Sequence, residues 1–500
     1  MEGNRIHRRA FLRTLGLGTA GVVLGCEGSP GLLSGRRRAV RKPNVVFLLA
    51  DQWRAQATSH AGDPNAKTPN LDQLAQESVN LTNAVSSCPV CSPYRGSLMT
   101  GQYPLRHGVF LNDVQLSPEA VSIAKVYKEA GYETAYIGKW HLDGPGRSNF
   151  IPRERRQGFE FWKALECTHN YNNSFYYSDE NVKLKWEGYD AIAQTREAQK
   201  YIREHPGDKP FLLFVSWGPP HAPYQTAPEK YKQMFRAENI QLRPNVPVDA
   251  NVKAKHILAG YYAHIAALDD CVGWVVQTLK DCGLAQETIL VFTADHGDML
   301  QSHGMMKKQK PWEESVRVPF LLRYPALLGP KGKEIDMPIS TPDIMPTLLG
   351  LSELPIPDTV EGSNYSKVLT GENKAENETV LIECPSPFGQ WSRKNGGREY
   401  RGIRTRRYTY VRDLQGPWLL YDNETDPYQQ NNLVDANNHA HASVGMAPES
   451  KADITALQKK LDVMLNRKLE ETNDEFLSGW DYIKQRGYKT DTSGTVPYTH

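Results

Sequence analysis

Four stretches of the chain are apolar over the length of a strand and then stop abruptly at polar or charged residues. Residues 44–50 (Asn-Val-Val-Phe-Leu-Leu-Ala) end at Asp51 and Gln52, and residues 132–137 run out into Gly138, Lys139, Trp140 and His141. Residues 211–217 lead to His221, and residues 288–293 to Ala294, Asp295 and His296. Runs apolar on both faces suit strands covered by helices on each side. Helical patterns alternate with them at 69–78, 118–130, 189–204 and 252–279. In the second, Val121, Ala124, Val126 and Tyr127 mark the apolar stripe. In the fourth, Leu258, Tyr262, Ile265, Leu268, Val272, Val275 and Leu279 keep helical spacing, and Gly283 closes the helix. This alternation predicts a doubly wound α/β sheet with helices on both faces. Ligands gather beyond the carboxyl ends of the strands in such sheets, where Asp51, Lys139, His141, His221 and Asp295 all fall.

From about residue 376 the rhythm changes. Residues 379–383, 400–411 and 418–421 read as short strands between polar turns, and 452–467 as a helix, together a small antiparallel sheet with one packed helix. The expected division is 1–42 as signal and linker, 43–375 as the catalytic domain, and 376–500 as a C-terminal subdomain. The polar tail from about Lys489 is expected to be loose.

Composition narrows this little. The chain has 500 residues, 39% apolar and 23% charged, with a net charge of +2, which gives no indication of a nucleic-acid partner. Seven cysteines without regular spacing do not make a disulfide framework. The first residues do change the picture. Arg8-Arg9-Ala-Phe11-Leu12 is a twin-arginine motif, followed by a short apolar region at 15–24. Residues 23–26 (Val-Leu-Gly-Cys) resemble a bacterial lipobox, with Cys26 either lipidated or discarded with a cleaved signal. The expected destination is the bacterial envelope or periplasm, reached through the twin-arginine export machinery, which carries folded proteins.

The most informative stretch is Cys91-Ser-Pro-Tyr-Arg95, running on to Thr100-Gly101. Pro93 suits the first turn of a helix, Arg95 follows inside that turn, and Gly101 can close the helix. Cys91 would then lie at a helix N-terminus, where free N–H groups and the dipole favour an anion. A competing reading is the CxxC spacing of Cys88 and Cys91, a redox pair.

This stretch resembles the signature of the sulfatase family. The likeness continues in order through Pro43 to Phe47, Thr68 to Asp72, Gly138 to Leu142, Pro220 to Pro223, Thr293 to Asp298, His303 to Lys308, Glu313 to Pro319, Asp343 to Thr347, and Leu420 to Leu433. It implies the alkaline phosphatase-like fold, a mixed sheet flanked by helices. It also implies that Cys91 is oxidised to formylglycine by a formylglycine-generating enzyme, and that the substrate is a sulfate monoester. For an exported protein a sulfated polysaccharide or glycan is expected.

The resemblance further assigns Asp51, Gln52, Asp295 and His296 as metal ligands. Many members carry a second Asp where Gln52 stands and Asn where His296 stands. Calcium is expected at these oxygen donors, while the imidazole and lower charge leave magnesium or manganese open. Arg95, Lys139 and Lys308 match positions that hold the sulfate oxygens, and His221 the position that protonates the leaving alcohol, perhaps with Lys308. His141 matches the position that removes a proton from residue 91 as sulfate departs. Lys308 is chosen over Lys307 and Lys310 by its spacing to His303 and Glu313. Two alternatives stay open: a formylglycine phosphodiesterase or phosphonate monoester hydrolase, and an inactive envelope protein that binds sulfated glycans. The aromatic and polar residues of 150–190 (Trp162, Glu166, His169, Tyr171, Asn172, Tyr176, Tyr177) either line a sugar site or pack an inserted subdomain. Residues 390–393 are a second candidate for that pocket.

Overall fold

Val45, Val46, Phe47, Leu48 and Leu49 are at most 1% exposed, so the central strand is buried on both faces, as a run without polar alternation requires. Burial of each such side chain stabilises the fold by about 1.5–3 kcal/mol. The computed structural model describes residues 42–374, 379–434 and 451–498. Arg8, Arg9 and Cys26, and the boundary expected at 375/376, lie outside the described residues.

In chain order the strands are β1 (Asn44–Asp51), β2 (Val79–Leu81), β3 (Ala84–Val85), β4 (Glu133–Lys139), β5 (Phe161–Leu165), β6 (Phe175–Tyr176), β7 (Leu184–Lys185) and β8 (Phe211–Pro220). Then come β9 (Thr288–Ala294), β10 (Phe320–Arg323), β11 (Lys333–Ile335), β12 (Ile339–Ser340), β13 (Thr379–Cys384), β14 (Tyr400–Thr405), β15 (Tyr408–Asp413) and β16 (Gly416–Asp422). Eight of them form one mixed sheet in the order β11-β2-β10-β9-β1-β8-β4-β5. At its centre β9, β1, β8 and β4 are parallel. The helices Pro69–Gln76, Asp190–Glu204 and Asn251–Asp281 pack together, and Cys91–Thr100 packs with Ile123–Glu129 and Ile344–Leu351. A separate antiparallel sheet, β13-β14-β15-β16, carries the helix Lys451–Glu471. The fold is the expected α/β sheet flanked by helices, with a smaller C-terminal sheet.

Register decides what meets at the carboxyl edge. Ala50 pairs with Ala294, Asp51 with Pro220, and Gly138 with Ser216. Asp51, Lys139, Asp295 and the residues after Pro220 are therefore brought level on one rim.

Three local expectations change. The helix expected from 118 starts at Ile123, because Ser122 caps it by accepting from the Lys125 N–H at 3.2 Å. Val121 thus precedes the helix and is 38% exposed. The run 400–411 is a hairpin, turning at Arg406 and Arg407, where the Thr405 hydroxyl accepts from the N–H groups of Arg407 and Tyr408. The tail is tied down. Tyr488 donates to the Gly108 carbonyl, Thr495 accepts from the Gly389 N–H, and Arg147 lies 3.4 Å from the centre of the Tyr498 ring. Among the described residues no helix is long and apolar enough to cross a membrane.

Candidate active site

Cys91 opens the helix Cys91–Thr100, and Gly101 closes it at φ 66°, donating to the Ser97 carbonyl. Every residue of this helix is buried. In its first turn the Ser92 N–H is taken by Asn112 Oδ1 at 3.0 Å, Pro93 has none, and the Tyr94 N–H bonds to the Val90 carbonyl, so the free N–H groups expected there are largely engaged. Lys308 Nζ donates to the Cys91 sulfur at 2.8 Å, and His296 Nε2 lies 3.3 Å from it. Burial and Asp51 push the thiol up, yet Lys139, Lys308 and His296 together carry it well below the usual thiol range. The side chain of residue 91 occupies a place built to hold negative charge.

Asp51, Cys91, Asp295 and His296 converge, with one donor atom from each lying within 4.8 Å of all the others. The two carboxylates are fully buried. Burial alone would raise the Asp51 pKa, but the neighbouring ammonium groups, Lys139 first and then Lys308, hold it well below the carboxylate range. Asp295 is pushed up to about 6, first by burial and then by Asp51. Two carboxylates crowded in this way call for a cation between them. His296 Nδ1 lies 2.9 Å from the Gly297 carbonyl, which holds a proton on that nitrogen and leaves Nε2 as the ring atom that faces the cluster. Gln52, at φ 72°, donates its backbone N–H to Asp295 Oδ1 at 2.9 Å. Its side-chain Nε2 donates to Asp298 Oδ2 at 2.6 Å, while its Oε1 is buried with no hydrogen-bond partner. Two converging carboxylates and an imidazole, with an orphaned buried amide oxygen on the residue next to Asp51, offer the donor types of a divalent-cation site. These residues fit the metal.

Arg95 meets this cluster from below. One terminal nitrogen donates to the Lys139 carbonyl (2.9 Å) and the Ser216 hydroxyl (2.7 Å). The other lies 3.4 Å from Asp51 and 3.2 Å from Asp295. Its terminal nitrogens are thus taken up by the carboxylates and the strand ends. Lys139 Nζ lies 2.5 Å from Asp51 Oδ2.

His221 follows β8 with Nδ1 2.8 Å from the Ala222 carbonyl, and its ring stacks on His169 at 4.7 Å. Burial, then Lys308, lowers its pKa well below the ordinary histidine value. His141, at φ 60°, places its ring against Asp113, with Nε2 3.4 Å from Oδ1. Asp113 is in turn gripped by Arg147. Burial opposes its charge, but the hydrogen bonds from Arg147 and His141 hold the Asp113 carboxyl well below its usual range.

Cys88 and Cys91 are both free thiols. Burial, then Cys384 and Glu383, pushes the Cys88 thiol up, whereas the contacts of Cys91 are with Lys308, His296 and Asp51. The two sulfurs sit in opposite electrostatic surroundings, and no disulfide joins them in this structure.

The sequence motifs did not single out Asp113, Arg147 or Tyr224. Asp298 closes the phrase that begins at Thr293, so its signal was present but unread. Tyr224 follows the motif of His221 directly. Asp113 and Arg147 stand in turns without pattern. In the insertion, Trp162 packs on Tyr136, Glu166 accepts backbone N–H groups, and Tyr171 donates to the 218–222 backbone, so these three are structural. His169 alone of the named residues stacks on a candidate catalytic ring. In 390–393, Trp391 is buried beneath the Lys310 ammonium and Arg393 is paired with Glu399.

Residues 43–354 match a family model described as Sulfatase, and residues 301–458 match one described as N-sulphoglucosamine sulphohydrolase, C-terminal. The chain is 45% identical over 454 residues to an ulvan-active sulfatase of Formosa agariphila, covering 89% of this chain and 85% of that one. It is 32% identical over 451 residues to an endo-4-O-sulfatase of Bacteroides thetaiotaomicron, covering 78% and 88%. A solved structure of a putative sulfatase from Bacteroides fragilis superposes with a TM-score of 0.75 at 31% identity, covering 88% of this chain and 98% of the other.

Proposed function

The chain belongs to the sulfatase family of sulfuric ester hydrolases, and from that premise we propose that it removes sulfate from a sulfated polysaccharide through residue 91. The observation that carries this reading is the side chain of Cys91, held at a helix N-terminus against the Lys308 ammonium and within reach of Asp51, Asp295 and His296. The likeness to an ulvan-active sulfatase over most of both chains supports a polymeric, sulfated substrate.

Conversion of Cys91 to formylglycine by a formylglycine-generating enzyme supplies the nucleophile at this position. A divalent cation held by Asp51, Asp295, Gln52 Oε1 and His296 Nε2 supplies Lewis-acid stabilisation of anionic oxygen beside it. Calcium suits the oxygen donors best, with magnesium and manganese as competitors.

The remaining work falls to the chain itself. Lys308 and Lys139 place ammonium groups around residue 91, where the sulfate oxygens gather charge. Arg95, expected to hold sulfate, has its terminal nitrogens engaged by Asp51, Asp295, Ser216 and the Lys139 carbonyl. We assign it to fixing the two carboxylates. His221 is neutral in the free protein because burial and Lys308 disfavour its charge. An arriving sulfate anion offsets Lys308, so Nε2 can then carry the proton that the leaving alcohol takes. Asp113 accepts from His141 Nε2, which leaves the buried, unpartnered Nδ1 free to receive a proton.

The reading extends to export through the twin-arginine machinery and retention in the envelope by a lipid on Cys26. It also keeps the division into a catalytic domain (43–375) and a C-terminal subdomain (376–500). The deciding experiment is the mass of the peptide containing Cys91, from protein made in its own host, paired with turnover on sulfated polysaccharides. An aldehyde in place of the thiol with release of sulfate is expected. Faster turnover of phosphonate monoesters or phosphodiesters would move the protein to that activity. An unmodified thiol with retained glycan binding would make it an inactive binding protein.

A further inference from the structure

An amide side chain offered to a cation is ambiguous. Its oxygen is a ligand and its nitrogen repels the ion, yet the two ends have nearly the same size, so packing cannot choose between them. At Gln52 the choice is made behind the site. Asp298 Oδ2 accepts from Gln52 Nε2 at 2.6 Å and from the Tyr224 hydroxyl at 2.5 Å. Its Oδ1 accepts the backbone N–H groups of Leu300 (3.1 Å) and Lys307 (2.7 Å). With four donors converging on it, this fully buried carboxylate is pinned in place. A carboxylate offers only acceptors to an amide, so it selects the Nε2 end. The backbone of Gln52 is held as well, its N–H donating to Asp295 and its carbonyl accepting from the Tyr261 hydroxyl at 2.9 Å. The side chain therefore has a fixed origin and a fixed far end, and Oε1 is left buried without a partner.

We propose that Asp298, braced by Tyr224, is a positioning residue that locks the Gln52 amide with its oxygen toward the metal. It also keeps, one side chain further out, the negative charge that a neutral amide lacks as a ligand. Outer carboxylates of this kind orient a ligand and raise its donor strength, and their loss lowers metal affinity by about 10–100-fold. The proposal rests on the reading of Gln52 as a ligand.

Calcium titration by calorimetry on the full, chelator-stripped chain tests it, with the variants Asp298→Asn, Tyr224→Phe, Gln52→Ala and the double variant Asp298→Asn/Gln52→Ala. Asp298→Asn is expected to weaken calcium binding about 10–100-fold. Tyr224→Phe, which removes one hydroxyl donor from Asp298, is expected to weaken it by a few-fold, less than about tenfold, with only a modest fall in the metal-free melting temperature. In the Gln52→Ala background the Asp298 substitution should have little further effect, because its route to the metal is gone. An undiminished effect in that background, or wild-type affinity in both Asp298→Asn and Tyr224→Phe, overturns the proposal. Should Asp298→Asn fail to fold, Tyr224→Phe alone decides. A wild-type chain that binds no divalent cation overturns the ligand reading itself.

Discussion

Arg147 closes on Asp113 with two hydrogen bonds, Nε to Oδ1 at 2.8 Å and Nη2 to Oδ2 at 2.7 Å. The same Oδ1 faces His141 Nε2. Removing the guanidinium leaves a buried carboxylate without its main counter-charge, which costs about 3–5 kcal/mol in comparable buried pairs. Arg147→Ala is therefore expected to lower the melting temperature, and Asp113→Asn to lower kcat more than it raises KM, because His141 loses its anchor. Melting curves and steady-state kinetics check the two. An unchanged kcat in Asp113→Asn would remove His141 from the chemistry.

Gly138 stands one residue before Lys139 at φ 106°, paired with Ser216 across β4 and β8. A Cβ there would lie 2.1 Å from the Ser216 carbonyl oxygen, a backbone atom that cannot give way without parting the strands. Gly138→Ala is expected to destabilise the protein by about 3 kcal/mol or more. It should also displace Lys139 from Asp51. Denaturant unfolding measures the first effect and activity the second.

Glu166 accepts the N–H groups of Leu142, Asp143 and Gly144 and so holds the turn after His141. Its pKa is pushed up to about 8, by burial first and then by the charge of Asp143. The folded state thus keeps a proton that the unfolded chain releases near the ordinary value of about 4.3. This contribution is complete below that value and is lost as pH rises toward 8, with a slope of at most about 1.4 kcal/mol per pH unit. Urea unfolding should show stability falling across this window, and Glu166→Gln should flatten the curve. An equally steep curve in the variant would refute the assignment.

Of the three lysines, Lys308 is the one whose ammonium donates to the Cys91 sulfur, at 2.8 Å. Lys307 gives its backbone N–H to Asp298, and Lys310 Nζ donates to the Lys308 carbonyl. Lys308→Ala is expected to lower kcat/KM about 100- to 1000-fold, the range for losing one preorganised charge or donor at a reacting oxyanion. Lys307→Ala and Lys310→Ala should cost less than about tenfold. A larger loss at either neighbour would reverse the choice.

Much of the site was legible because its residues terminate strands. An apolar run that stops at Asp51, at Lys139 or at Asp295 announces both a strand and the rim where it ends. Asp113 and Arg147 lack such a cue. Each stands in an irregular turn, and their meaning arises only when 34 residues of chain fold back to join them. The tail illustrates the same limit. Its polarity suggests a loose end, whereas Tyr488 and Tyr498 anchor on Gly108 and Arg147, contacts with residues hundreds of positions away.

The sequence by itself determined the alternation of strands and helices, the helix opened by Cys91, and the kinds of side chain brought to the rim. These depend on local periodicity and on residue chemistry, which are written along the chain. Only the tertiary structure decided that the parallel strands end level, that the Arg95 terminal nitrogens meet Asp51, Asp295, Ser216 and the Lys139 carbonyl, and that the Gln52 amide nitrogen meets Asp298. Those outcomes depend on register and on which donors meet which acceptors in a buried space. No periodicity encodes such pairings, since their partners come together only after the sheet has formed.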